Sequence, residues 1–179
     1  MGSLLWTGHG RGCTLFYSLA RPARRVAGHR ASSVISLMPW RKKLLNFDGK
    51  PGHTMVDDRF AMKPPADQLP YLAWFGVHCV TNQAGHLWHP NEGPQLDAVE
   101  SDLIALCGRH GNGWAAYVHR LDTPGLREYY VYFGDGAAME QVLPELKAKH
   151  PTYRVEFDRI DDLKWAQYRK WLGWVSAAG

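Results

Sequence analysis

Two runs of aromatic and β-branched residues, Gly113 to Leu121 and Leu126 to Phe133, flank the tetrad Asp122-Thr123-Pro124-Gly125. Proline presets one turn angle and glycine accepts a positive φ, so the tetrad reads as the punctuation of an antiparallel hairpin. The rest of the chain must be arranged around that pair. Upstream, Tyr71 to Thr81 (YLAWFGVHCVT) is a strand by the same composition. Between it and the hairpin, Leu96, Val99, Leu103, Leu106 and Cys107 recur at spacings of three and four, one face of a helix that Gly108 or Gly111 can stop. Downstream, Ala137 to His150 is a second helix, apolar at Met139, Val142, Leu143 and Leu146. Its Pro144 predicts a kink or a late first turn. Thr152 to Ile160 alternates as a strand, and Asp161 to Val175 reads as a last helix capped by Asp161 or Asp162.

The order from Tyr71 is therefore β-α-β-β-α-β with a terminal helix added. Split βαβ units paired in this way predict an α+β, ferredoxin-like antiparallel sheet with both internal helices on one face. A short extra strand is expected at Met55 to Met62, bounded by Pro-Gly and Pro-Pro. The 179 residues suit one domain, placed at 47–175, behind a basic and disordered N-terminal extension at 1–46.

Charge separates those two parts. Met1 to Phe47 carries eight Lys or Arg and no acid, whereas from Asp48 onward 13 basic residues face 17 acidic ones. The net charge of +4 thus belongs to the N-terminal segment, and a body of this sign is a poor match to a phosphate backbone. Three readings of residues 1–37 stay open: a start at Met38, an organellar transit peptide, or a disordered tail. The expected location is cytoplasmic, or an organellar matrix on the transit reading. Three cysteines form no spaced framework, which fits a reducing compartment, and no apolar run reaches the ~20 residues that span a bilayer.

Closing the hairpin with Leu121 opposite Leu126 sets Trp114 against Phe133, Ala116 against Val131 and Val118 against Tyr129, an apolar side for the core. The other side carries Tyr117 with Tyr130, His119 with Glu128, and Ala115 with Tyr132. Those tyrosines lie on the face the internal helices leave open. The terminal helix has Trp165, Tyr168, Leu172 and Val175 on one stripe, flanked by Trp171 and Trp174, and such a stripe must be buried somewhere. The tyrosine face is expected to be covered by this helix or by a second copy of the chain. An RNA-recognition module also stacks bases from the third strand of this topology. Here Glu128 stands where that motif has glycine and Tyr130 where it has a small residue, so RNA ranks third among the functions considered.

The segments REYYVYF after the hairpin, YRVEFDRIDDLKWAQYRKWL near the end and QLDAVESDLIAL after a Gly-Pro loop resemble the family called domain of unknown function 695. The closing pattern of that family, Asp-x-x-Trp-x-x-Tyr, is met by Asp162, Trp165 and Tyr168. The resemblance covers roughly residues 47–171. It implies a ferredoxin-like fold without an agreed biochemistry, and a distant likeness to regulator of ribonuclease activity B, which acts by binding a protein.

Candidate chemistry is sparse. His86 and His89 stand three apart in the HLWHP loop and are candidate metal ligands, but no second pair completes a four-ligand set. Cys79 and Cys107 lie at core positions, and no nucleophile elbow or phosphate-cradling glycine loop is present. No cofactor is expected. The leading expectation is a non-enzymatic interaction or regulatory module whose partner is another protein or a second copy. Its surface would comprise Tyr117, Tyr130, Tyr132, Trp165, Tyr168, Trp171, Trp174 and the HLWHPNEGP loop. The alternative is a small-ligand or metal-binding enzyme using His86 and His89.

Overall fold

The computed structural model describes residues 40–47, 49–80 and 86–177, which fall within one compact unit, residues 35–179. The expectations for residues 1–37 lie outside the described residues. Among the described residues the architecture is α+β: a six-stranded antiparallel sheet and three helices. Among the described residues, no helix is long and apolar enough to cross a membrane.

The chain enters the sheet earlier than expected. Strand β1 (Trp40–Phe47) precedes the domain start placed at residue 47 and pairs with β2 (Lys50–Asp57). The strand expected at Met55 to Met62 is therefore displaced upstream, and Asp58–Phe60 forms a 3-10 turn. Gly49, at φ 83°, takes the left-handed conformation that closes this hairpin, and its N–H donates to Asn46 Oδ1 at 2.6 Å. The basic run Arg41-Lys42-Lys43 hid the strand, because its charges mask the alternation.

The remaining elements are β3 (Tyr71–His78), α1 (Gly93–His110), β4 (Ala115–Thr123), β5 (Leu126–Phe133), α2 (Gly136–Lys149), β6 (Arg154–Asp161) and α3 (Ala166–Ser176). The sheet order is β1-β2-β4-β5-β3-β6, so β1 and β6 are its edges. Helix α2 runs through Pro144 and starts at Asp135, whose Oδ1 accepts from the Ala137 amide at 2.9 Å. Helices α1 and α2 share one face. There Leu96, Val99, Leu103, Met139, Val142 and Leu146 bury against Phe75, Val77, Tyr129, Val131 and Phe133.

The hairpin differs from expectation in two ways. Its loop is only Pro124 and Gly125 (φ 81°), so Thr123, not Leu121, opposes Leu126. A slip of two residues keeps every side chain on its face. The second difference does not. Tyr117 opposes Val131 while His119 opposes Tyr130, so Val118 is an extra residue, a β-bulge. Before the bulge the faces of β4 are exchanged relative to the sequence reading. Tyr117 and Ala115 pack into the core beneath α1 and α2, whereas Ala116 and Val118 pack on the opposite face. Trp114, expected in the core, precedes the strand and is 53% exposed. The expected place of Tyr117 on the open face is thus corrected: its hydroxyl donates to Glu100 on α1 at 3.0 Å.

Candidate functional site

Helix α3 lies across the face opposite α1 and α2, against β1, β2 and β4. Its start is built by Asp162. One oxygen accepts from the Ala166 amide at 2.7 Å; the other accepts from the Gln167 amide at 2.9 Å and the Tyr132 hydroxyl at 2.6 Å. Two orphan helix amides and a buried phenol are satisfied by one carboxylate. To reach this geometry Trp165 adopts φ 54°, a left-handed conformation that costs a non-glycine residue of order 1–3 kcal/mol. Its buried indole offsets the cost by stacking on Tyr132 at 3.9 Å and 9°, and its Nε1–H donates to the Leu69 carbonyl at 2.8 Å.

Further along, the Tyr168 hydroxyl donates to the Asp57 carbonyl at 2.7 Å, and Trp171 stacks on His119 at 4.3 Å and leans on Tyr130 at 4.5 Å. The C-terminal end is held by the edge hairpin. Lys43 Nζ donates to the carbonyls of Trp174 and Ala177 at 3.1 and 3.0 Å, and Arg41 donates to Ser176 Oγ at 3.0 Å. Cations suit this negative helix end. His119, fully buried, has Nε2 2.8 Å from Thr54 Oγ1, while Nδ1 has no partner among the described residues. Burial pushes its pKa down to about 3, so the ring is neutral at physiological pH.

The residues expected to form an interaction surface therefore divide. Tyr132, Trp165 and Tyr168 are wholly buried inside the second core, and Trp171 is nearly so. Tyr117 belongs to the other face. Tyr130 is half-buried and Trp174 is 39% exposed, and these two reach a surface.

That surface exists because the layers are offset. Helices α1 and α2 pack on β4, β5 and β6, and over Phe75 and Val77 of β3, while α3 packs toward β1, β2 and β4 on the opposite side, so α3 does not reach as far as β6. Among the described residues, α3 covers this side of β3 only at Leu72, and leaves the rest of β3 and the side of β6 without a helix. There the flank of α3, through Trp171, Trp174 and Lys170, walls a groove of about 350 Å³ floored by Leu72, Trp74, Tyr130 and Ile160. Ile160 is 46% exposed on the edge strand. Trp74 was missed from sequence as a surface residue. Its ring lies over Gly76, where a Cβ would come within 2.5 Å of Trp74 Cζ2, and its Nε1–H donates to Glu128 Oε1 at 2.8 Å. Burial pushes the Glu128 carboxyl up, and hydrogen bonds from Trp74 and Tyr130 pull it back. The detectable signal was the spacing Trp-x-Gly within a strand, since an interior glycine marks a close approach.

The other candidate chemistries gain little from the geometry. His89 Nδ1 accepts from the Asn91 amide at 3.2 Å and caps a 3-10 turn, and His86 lines a separate shallow groove with Pro51 and Trp88. No group of three or more His, Cys, Asp or Glu is arranged to hold a metal among the described residues. Burial pushes the Cys79 thiol up to about 11 and the Cys107 thiol up to about 12, so neither supplies a thiolate nucleophile near neutrality. Arg127, almost wholly buried, donates to Asp122 at 2.8 Å and Asp97 at 3.0 Å, with Trp88 4.4 Å above its guanidinium. Arg120 bridges the same Asp122 to Glu100. With its charges paired and hydrogen-bonded in place, this network ties α1 to the hairpin and exposes no reactive group.

No curated protein and no solved structure matches the chain. A family model does match, over residues 39–173, from the residue before β1 into the last turns of α3. That span includes the Asp162, Trp165 and Tyr168 set that builds the α3 contact, and on it the chain belongs to the family of unknown function DUF695.

Proposed function

We propose that this chain is a non-enzymatic protein-binding module, and that its binding surface is the groove between α3 and the edge strand β6. The body is read as ferredoxin-like: β4-β5-β3-β6 with α1 and α2 on one face support that reading, and the β1–β2 hairpin is then an addition at the β4 side. The observation that carries the functional reading is the offset of the helical layers, which leaves Trp74, Tyr130, Trp174 and Ile160 together beside a strand edge. Aromatic side chains with polar tips are the residues enriched at binding hot spots, and an edge strand offers unpaired backbone groups to a partner. The occupant is another protein; self-association and RNA are outcomes the test separates.

The test is recovery of the tagged full-length chain from native extract, with and without ribonuclease, alongside Ile160→Glu and Trp174→Ala variants. A stoichiometric protein that survives ribonuclease and is lost from both variants supports the reading. Recovery of the chain alone, of a second copy only, or of partners that vanish with ribonuclease contradicts it.

A further inference from the structure

The groove is lined by Trp74 and Tyr130 with Asp158, Arg159 and Lys170 among its polar residues, and further carboxylates gather at the Trp74 end. The Trp74 indole folds back over Gly76, which is possible only because position 76 has no side chain. Gly76 is opposed by Glu128 on β5 and by Glu156 on β6, and Trp74 is opposed by Asp158 on β6. Opposed residues share a side of the sheet, so three carboxylates lie on the indole's side of it. Glu128 also accepts the indole N–H. Beside these carboxylates the cations are Arg154, paired with Glu156, and His78, 3.2 Å from the same carboxylate; the groove lining adds Lys170 and Arg159, the latter engaged with Glu140 at 3.2 Å and the Gly136 carbonyl at 3.0 Å. Glu128 and Asp158 have no basic side chain within ion-pair distance among the described residues. The groove already treats one cation this way: Lys170 Nζ sits 5.3 Å from the centre of the Trp174 ring. Tryptophan is the strongest aromatic acceptor for a cation, and carboxylates at its rim add Coulomb attraction.

We propose that Trp74 is a cation–π platform that receives an arginine or lysine side chain of the partner protein, between Glu128 and Asp158. The groove is open along β6 and does not enclose a ligand, which suits a side chain projecting from a polypeptide that passes the edge strand. This deepens the protein-binding reading above and rests on it.

The test is the indole N–H resonance of Trp74, assigned with Trp74→Leu, during titration with N-acetyl-arginine amide, N-acetyl-lysine amide and the neutral N-acetyl-norleucine amide. The two cations are expected to shift it at concentrations reaching tens of millimolar, and norleucine is not. Gly76→Ala, which pushes the ring off its seat, and Glu128→Gln are each expected to weaken the cation response several-fold, up to about tenfold. Equal shifts with norleucine, or no shift with any probe, overturn the proposal. Failure here is distinguishable from failure of the module reading. If the probes fail while Ile160→Glu still abolishes partner recovery, the groove stands and the cationic contact falls.

Discussion

Trp74 and Gly76 are two residues apart on β3, and the indole of the first occupies the space a side chain of the second would fill, 2.5 Å from an added Cβ to Cζ2. Gly76→Ala is therefore expected to lift the ring and break its 2.8 Å hydrogen bond to Glu128. The loss is about 1 kcal/mol, since one partly buried hydrogen bond to a charged group is exchanged for water. Tryptophan emission should shift to the red with a small fall in denaturant midpoint; unchanged emission would show that the ring is not seated there.

Asp162→Ala removes the acceptor for two α3 amides and the Tyr132 hydroxyl at once. The expected destabilisation is about 2–3 kcal/mol, a cap plus an unsatisfied buried phenol. Asp162→Asn should restore part of it, because an amide oxygen still accepts. Urea unfolding of the three proteins checks the order.

His119 makes stability depend on pH. Its folded pKa is lowered to about 3 from an ordinary 6.5 by burial between Tyr130 and Trp171, so the folded state holds the neutral ring. The unfolded chain binds the extra proton below pH 6.5. The contribution is thus fully present above that value and is lost as pH falls toward 3, at up to about 1.4 kcal/mol per pH unit. His119→Phe keeps a ring in the stack and should flatten the slope between pH 4 and 6, roughly the middle of that window. Urea midpoints across this range read the difference directly.

Arg127→Met leaves Asp122 buried with only Arg120 and a 3.4 Å contact to His53. About 3 kcal/mol of destabilisation is expected, from an under-compensated buried carboxylate. Adding Asp122→Leu should recover much of it, and a double-mutant cycle in urea gives the coupling.

Much of this fold was legible because its elements obey simple periods. The helical stripe from Leu96 to Cys107 and the strand Leu126–Phe133 stand where the pattern puts them. What escaped was non-local. The bulge at Val118 has no residue signature, yet it reverses the faces of the start of β4 and moves Tyr117 into the core. Arg41 and Lys43 looked like part of a basic tail, but they sit on β1 and bond the C-terminal end of α3, more than a hundred positions away. The tyrosine face was legible as a surface awaiting a cover. How much of it α3 leaves bare depends on the lateral offset of the layers, which no local pattern records.

The claim that the groove beside β6 is where this protein meets another is tested most directly by photo-crosslinking in cells. A photoreactive amino acid would replace Ile160 or Trp174 in the groove, or Ile104, exposed on α1 away from it. The account predicts the same discrete protein adduct from positions 160 and 174 and none from 104. Adducts that form equally from 104, or none from the groove, would contradict it.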